Sequence, residues 1–370
     1  MISSIIIPFF LLWGRLNLIE FSFLQSYYFI ATFMLEIPCG LLADRLERKW
    51  ILAFSGLLSA GAAFIYSIIP NLIMFYIAET LFALASAMMS GSIESFLFDT
   101  LKTNRKEKEF TIIIGKSEIY FLIGFFISSP IGSIIGYFFS LPLVMMLMVF
   151  PYIGAFLVSL LLVEPKLGKN SKKIKFFSPI KSSFRNFKKN KVLRILIKDM
   201  LIIEVFILIL FLNYQYYLYL VLDIPILYFG LFDSFFVLME SVFTYIITKY
   251  KPKFKKNRCW FSIFTFLPGI CYILLGIILF LPINIFLLII IIGLGLSRYV
   301  IFMEGINKRI NKENRATSLS IINMIRMLSK GIILPLFALF ILWDINFTFI
   351  FIGFSIILIS TRSKTKKEYL

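Results

Sequence analysis

The chain has 370 residues, of which 60% are hydrophobic and only 16% charged, and its mean hydropathy is +0.92. This balance excludes an ordinary water-soluble domain, because such a fold could not bury so much apolar surface. The formal net charge of +18 does not indicate a nucleic-acid partner, since Lys and Arg are confined to short segments between long apolar runs. The composition predicts an all-α protein embedded in a lipid bilayer.

Eleven apolar stretches are interpreted as membrane-spanning helices, because about 20 apolar residues in a helix cover about 30 Å of hydrocarbon. A shorter one, 2–13, precedes them and brings the predicted number of spans to twelve. The eleven are 23–43, 50–69, 72–98, 110–139, 143–163, 195–221, 227–248, 259–281, 283–303, 316–342 and 347–359.

The first stretch, 2–13, covers only about 18 Å as a helix, which is too short to cross the bilayer. No basic segment precedes it and no small-residue cleavage site follows it, so a signal peptide fits poorly. We interpret it as a first helix that is truncated because the start codon was placed inside it.

Basic residues alternate between the two sides of the predicted spans. The loops after spans two, four, six, eight and ten, together with the C-terminal tail, hold 32 of the 38 Lys and Arg residues, and the opposite loops hold only Arg15. Because short cytoplasmic loops carry such an excess, these loops and the C-terminus are expected in the cytoplasm. The basic segment 164–194 is the one long polar interruption, and it divides the chain into an N-terminal unit, 1–163, and a C-terminal unit, 195–370.

A polar motif lies between spans two and three: Gly40, Asp44-Arg45 and Arg48-Lys49. We expect Gly40 to allow close approach of two helices and Asp44 to face the N-terminus of a neighbouring helix. The arginines should pair with acidic groups at a cytoplasmic gate. Asp99, at the cytoplasmic end of span four, is the partner that we expect for Arg45 or Arg48.

This loop resembles the signature of the major facilitator superfamily, and it departs from that signature at Glu47, where the family usually has Gly. The segments 36–40, 90–99 and 315–320 are similar to a bacterial branch that contains many drug exporters. The resemblance implies two six-helix bundles of a monomeric secondary transporter in the bacterial plasma membrane. It also implies that the motif stabilises the outward-facing state.

Alternating access suits two six-span halves joined by a linker, and the chain has no Gly-rich phosphate loop that would drive a pump. We therefore expect a transporter without enzymatic activity or cofactor that exports a small amphipathic compound in exchange for protons or another ion. An uptake permease of the same family, or a member that does not transport, remains open.

Charged residues inside the spans should face a cavity or a partner, because burying an ionised side chain costs about 2.5–3.5 kcal/mol at mid-bilayer. They fall in spans two, four, five, seven, eight, ten and eleven, and none lies in spans three, six, nine or twelve, which are the peripheral helices of the resembled fold. The residues are Glu36, Glu79, Glu94, Lys116, Glu118, Lys198, Asp199, Glu204, Asp233, Glu240, Arg298, Arg326 and Lys330.

Arg326 and Lys330 lie four residues apart and therefore on one helical face. Two like charges in a membrane require an anion, which Glu240, Glu79 or an anionic group of the substrate could supply. Arg298 is a further candidate for lining the cavity.

Glu79 is the first candidate for proton coupling and Glu240 the second, because burial favours a protonated carboxyl and the chain contains no His. A fixed structural ion pair is the alternative for each. Tyr214, Gln215 and Tyr217 combine hydrogen-bonding groups with aromatic faces, as a binding pocket would, although an interfacial aromatic belt explains them nearly as well.

Overall fold

The computed structural model describes residues 1–165, 187, 190–256, 258–310 and 315–362. Within these ranges it leaves out the side chains at 41, 44, 45, 111, 248, 250–256, 258–265, 300, 301 and 315–317. Most of the predicted linker, 166–186 with 188 and 189, and the end of the basic tail, 363–370, therefore lie outside the described residues.

In the residues that the structure describes, twelve helical segments form two halves of six, as the apolar stretches predict. The first half contains α1 (Ile2–Trp13), α2 (Leu18–Arg45), α3 (Arg48–Ile68), α4 (Leu72–Met89 and Ser92–Thr103), α5 (Phe110–Phe138) and α6 (Leu141–Leu147 and Val149–Leu160). The second contains α7 (Lys191–Leu220), α8 (Phe229–Lys256), α9 (Arg258–Ile277), α10 (Leu281–Asn307), α11 (Arg315–Trp343) and α12 (Ile345–Arg362).

In the described ranges, nine of these helices are long and apolar enough to cross a membrane. The helical stretches Ile2–Trp13 in α1 and Phe266–Ile277 in α9 are shorter. Helix α7 has 30 residues, but five charged residues occupy its first half, from Lys191 to Glu204, and interrupt the apolar run.

Local signals explain where several helices begin. Asn17 caps α2 by accepting a 2.9 Å hydrogen bond from the backbone N–H of Glu20, whose carboxylate accepts a 2.9 Å bond from the N–H of Asn17 in return. Helix α2 therefore begins at Leu18, five residues before the predicted start of the span. Asn71 and Asn190 cap α4 and α7 through their side-chain oxygens in the same manner.

The two halves meet mainly along α2 with α11 and along α5 with α8, while α1 contacts α7 and α8. Helices α3, α6, α9 and α12 make their main contacts within their own half, which agrees with their lack of charged residues in the membrane. We call the end of the bundle at which α2 meets α3 the linker end, because α6 also finishes there with Glu164 against Arg48. The other end is called the opposite end.

The seam between α5 and α8 is tight near the opposite end. Ser234 donates a 2.7 Å hydrogen bond to the carbonyl oxygen of Phe126, and Ser133 donates one of 3.1 Å to that of Leu227. Nearer the linker end, every residue of α5 from Gly115 to Phe121 is exposed, so no face of the helix is covered by another helix there. The halves are therefore closed together at the opposite end and separated along α5 towards the linker end.

Gly230 of α8 sets this close approach, because a Cβ at its position would overlap the carbonyl oxygen of Ser129 on α5. We expect Gly230→Ala to push the helices apart and to lower the free energy of unfolding by about 1–3 kcal/mol. Gly124→Ala on α5 is the matched control, since nothing lies within 4 Å of a Cβ there. Thermal unfolding of the purified variants in lipid nanodiscs measures the difference, and equal stability of the two variants would contradict the packing.

Candidate functional site

A charged cluster joins α7 and α11 inside the second half. The Glu204 carboxylate accepts two bonds from Arg326, of 2.8 Å from Nε to Oε2 and 2.7 Å from Nη2 to Oε1. The ammonium of Lys330 lies 2.7 Å from the same Oε1 atom. The side chains are 15%, 20% and 13% exposed for Glu204, Arg326 and Lys330, so the cluster is shielded from solvent on most sides.

The sequence correctly indicates that Arg326 and Lys330 share one face and require an anion, but its suggestions of Glu240 or Glu79 as that anion are wrong. Glu204 supplies the charge because α7 packs directly against α11 at this depth. Nothing in the sequence fixes the register between two helices that are 122 residues apart at this contact.

Aromatic rings hold the two arginines of the site. The guanidinium carbon of Arg326 lies 4.5 Å from the ring centroid of Tyr299, whose hydroxyl accepts a 3.2 Å bond from Arg326 Nη1. The guanidinium carbon of Arg298, which is 4% exposed, lies 4.7 Å from the ring centroid of Phe302. Asp199 acts electrostatically on Arg298.

A cavity of about 160 Å³ lies between α7, α8, α10 and α11. Its apolar wall includes Ile203, Ile207 and Leu296. The polar and charged side chains that line it are Asp199, Glu204, Glu240, Arg298, Tyr299 and Arg326. The structure thus brings three predicted site residues, Glu240, Arg298 and Arg326, to one cavity, together with Glu204.

Tyr214, Gln215 and Tyr217 lie outside the lining of this cavity and are fully buried. Tyr214 donates a hydrogen bond to Asp233 of α8, and Gln215 Oε1 accepts a 3.1 Å bond from the backbone N–H of Ile7. The Tyr217 hydroxyl accepts a 3.0 Å bond from the Asn284 side chain. These three residues therefore hold α1, α8 and α10 against α7.

Glu79 lies on the other side of the molecule, buried in the first half with 6% exposure. Gln25 of α2 donates a 3.2 Å hydrogen bond to its carboxyl. Its carboxylate acts electrostatically on two titratable groups, Tyr28 of α2 and Tyr66 of α3. In the part of the chain that the structure describes, no basic side chain forms an ion pair with Glu79.

The polar motif forms a cluster at the linker end. Of the two candidate arginines, Arg48 contacts the Asp99 carboxylate, and its Nη1 also donates a 3.2 Å bond to the carbonyl oxygen of Ser95. The Nζ atom of Lys49 lies 3.7 Å from the Oε2 atom of Glu47. The side chains of Asp44 and Arg45 are outside the described set.

One expectation about the motif needs correction, and the departure at Glu47 is explained by its backbone. Gly40 does not allow a close helix approach, because nothing lies within 4 Å of a Cβ built at its position. Glu47, which stands where the resembled family has Gly, adopts φ −65° and ψ 133°, so the turn does not require the freedom of Gly.

Glu164 was missed by the sequence reasoning. Its two carboxylate oxygens accept 3.2 Å bonds from the backbone N–H groups of Arg48 and Lys49, so it caps the N-terminus of α3 from the end of α6. Its position directly after an apolar stretch was the available signal, but the contact with α3 depends on the tertiary fold.

The described residues form twelve helices in two halves around buried charges, which is an arrangement typical of membrane transporters. The sequence matches the Major Facilitator Superfamily over residues 1–335, and the chain belongs to that family.

Solved structures share the fold at low sequence identity. The nucleoside transporter NupG is similar with a TM-score of 0.77 and 14% identity, over 98% of this chain and 95% of that one. A bacterial homologue of the human lysosomal transporter Spinster, in an inward-facing and occupied conformation, has a TM-score of 0.73 and 14% identity, over 99% and 93%. A POT family transporter in complex with a thioalcohol-conjugated peptide has a TM-score of 0.73 and 16% identity, over 94% of this chain and 88% of that one. A comparison with curated proteins gives no match.

We expect Glu204→Gln to destabilise the fold by about 3–5 kcal/mol, because it leaves two neighbouring buried cations without an anion. Lys330→Met should cost much less, since Arg326 and Glu204 keep their paired bonds. Glu109→Gln in the exposed Lys106–Glu109 pair, with 3.7 Å between the charged atoms, is the control and should change stability by about 0–1 kcal/mol. Unfolding in nanodiscs measures all three, and a Glu204→Gln variant as stable as the control would refute the pairing.

Proposed function

We propose that the chain is a proton-coupled exporter of small amphipathic organic compounds that works by alternating access in the bacterial plasma membrane. In this proposal the linker end faces the cytoplasm, which the excess of Lys and Arg in the loops at that end supports. The single observation that carries the proton coupling is Glu79, a buried carboxyl whose hydrogen-bond donor is the neutral side chain of Gln25.

A carboxyl in such a place can gain and lose a proton as its surroundings change. Burial disfavours its charged form, and Gln25 can donate to it in either state. Tyr28 and Tyr66, the titratable groups on which its charge acts, bring no positive charge that would fix it as a carboxylate. A conformational change that admits water on one side or the other would therefore load and release the proton.

The seams between the halves support alternating access. The halves are in contact along α5 and α8 at the opposite end and open along α5 towards the linker end, so rocking one half against the other would expose the interior to each side in turn. The proposal of export rather than uptake rests on the likeness of the sequence to the drug-exporter branch. The polar motif, with Arg48 on Asp99, serves as the cytoplasmic gate in this scheme.

Everted membrane vesicles with an acidic interior test the coupling. A compound that enters in exchange for protons should dissipate the pH gradient, which a pH-sensitive dye records. The panel should contain amphipathic compounds of two charge types, namely ethidium and tetraphenylphosphonium as cations and leucine and 6-aminohexanoate as amphoteric compounds, together with nucleosides and dipeptides. We expect wild-type vesicles to respond to at least one of the amphipathic compounds, and Glu79→Gln to abolish that response at equal protein level, because an amide cannot carry the proton.

Glu107→Gln, an exposed loop carboxylate changed in the same way, is the matched control and should keep the wild-type response. A Glu79→Gln variant that still exchanges compound for protons would disprove the role of Glu79. Accumulation of the active compound in right-side-out vesicles, driven by an inward proton gradient, would disprove export.

A further inference from the structure

The cavity between α7, α8, α10 and α11 has walls of opposite charge. On one wall, Arg326 and Glu204 line the cavity. Lys330 lies outside the lining, 2.7 Å from Glu204, so the cluster of three carries an excess positive charge. The Oε1 atom of Glu204 already contacts both cations, and its Oε2 atom accepts a further hydrogen bond from Arg326. A second anion close to this cluster would therefore be stabilised by a charge that the protein leaves uncompensated.

Glu240 of α8 lines the same cavity. Among the described residues no basic side chain forms an ion pair with it, and Glu118 of α5 acts on it as a second negative group. This wall therefore favours a cation. The remaining charged lining residues, Asp199 and Arg298, have opposite signs and act on each other, so they add no net charge.

We infer that the cavity binds a small amphoteric compound, with its carboxylate held by Arg326, where Lys330 adds an excess positive charge, and its amine held by Glu240. The inference rests on the proposed transport function and names the substrate class for it. A ligand with both charges compensates both walls, whereas a purely anionic or cationic one leaves an uncompensated charge in a medium where charge is costly. A cavity of about 160 Å³ limits the ligand to a small molecule, and Ile203, Ile207 and Leu296 offer an apolar surface to its carbon skeleton.

The position of Lys330 links this binding to the contact between the halves. Its ammonium lies 5.7 Å from the ring centroid of Phe29 on α2, across the seam between α2 and α11. Close by, Ser26 of α2 donates a hydrogen bond to the carbonyl oxygen of Gly331 on α11. A carboxylate that competes with Glu204 for Arg326 would change the charge that faces Lys330, and with it the contacts at this seam.

Equilibrium binding to the full chain in nanodiscs, with no gradient present, tests the inference. The probes are leucine and 6-aminohexanoate, which differ in the separation of their charges, with the N-acetyl and amide derivatives of each. The readout is thermal stabilisation as a function of ligand concentration. At least one amphoteric probe should bind, and its two derivatives should bind about tenfold more weakly or worse, because each lacks the group that one wall requires.

Two variants test which wall recognises the amine and which recognises the carboxylate. Glu240→Gln should remove the advantage of the amphoteric probe over its N-acetyl derivative, and Lys330→Met, which leaves Arg326 and Glu204 as a neutral pair, should remove its advantage over the amide. Glu107→Gln and Lys116→Met, two exposed positions, are the matched controls and should keep both ratios. The inference is wrong if neither amphoteric probe stabilises the protein, if a derivative binds as tightly as its parent, or if the variants keep the wild-type ratios.

Because the measurement uses no gradient, it is independent of proton coupling. A failure here leaves the vesicle result with Glu79→Gln standing. A failure of the vesicle experiment leaves the binding ratios and their dependence on Glu240 and Lys330 unaffected.

Discussion

The need to neutralise ionised side chains within an apolar environment shapes this molecule. Arg326 and Lys330 are held inside the helical bundle because Glu204 approaches them from a different helix, and removing that carboxylate would leave two buried positive charges side by side. The pairing fixes how α7 lies against α11. Since α11 is also the partner of α2 across the two halves, the position of one carboxylate is connected to the seam on which movement of the halves depends.

The two seams between the halves are formed by different kinds of residue. Along α5 and α8 the contact uses Gly230 and hydroxyl groups that donate to backbone carbonyls, so helices approach closely without large side chains. Along α2 and α11 the contact also includes a carboxylate: the Ser320 hydroxyl of α11 lies 3.4 Å from Glu36, to which Ser90 of α4 donates a 2.7 Å bond. Separating α5 from α8 would break hydroxyl-to-carbonyl hydrogen bonds, whereas separating α2 from α11 would also remove the Ser320 hydroxyl from the buried Glu36 carboxylate.

The sequence predicted the parts of the structure that depend on local properties. Spans follow from apolar run lengths, and the helices without charges are those that pack within their own half. Contacts between distant helices could not be obtained in this way. The sequence identifies Glu204 as a charged residue in a span but not as the partner of Arg326. Neither alternative for Tyr214, a binding pocket or an aromatic belt, indicates its hydrogen bond to Asp233. Both depend on the rotation of α7 about its own axis, which a single sequence does not encode in any local pattern.

Helix α4 contains a break with a mechanical consequence. Gly91 has a φ of 70°, a left-handed conformation that costs a residue with a Cβ roughly 1–2 kcal/mol, and the α-helix stops at Met89 and resumes at Ser92. Glu79 lies before this joint and Asp99 after it. The break separates the segment that contacts Arg48 from the segment that carries Glu79. Two continuous helices connect the gate with the buried carboxyl: α3, which begins at Arg48 and carries Tyr66, and α2, which is helical from Leu18 to Arg45 and reaches Glu79 through Gln25.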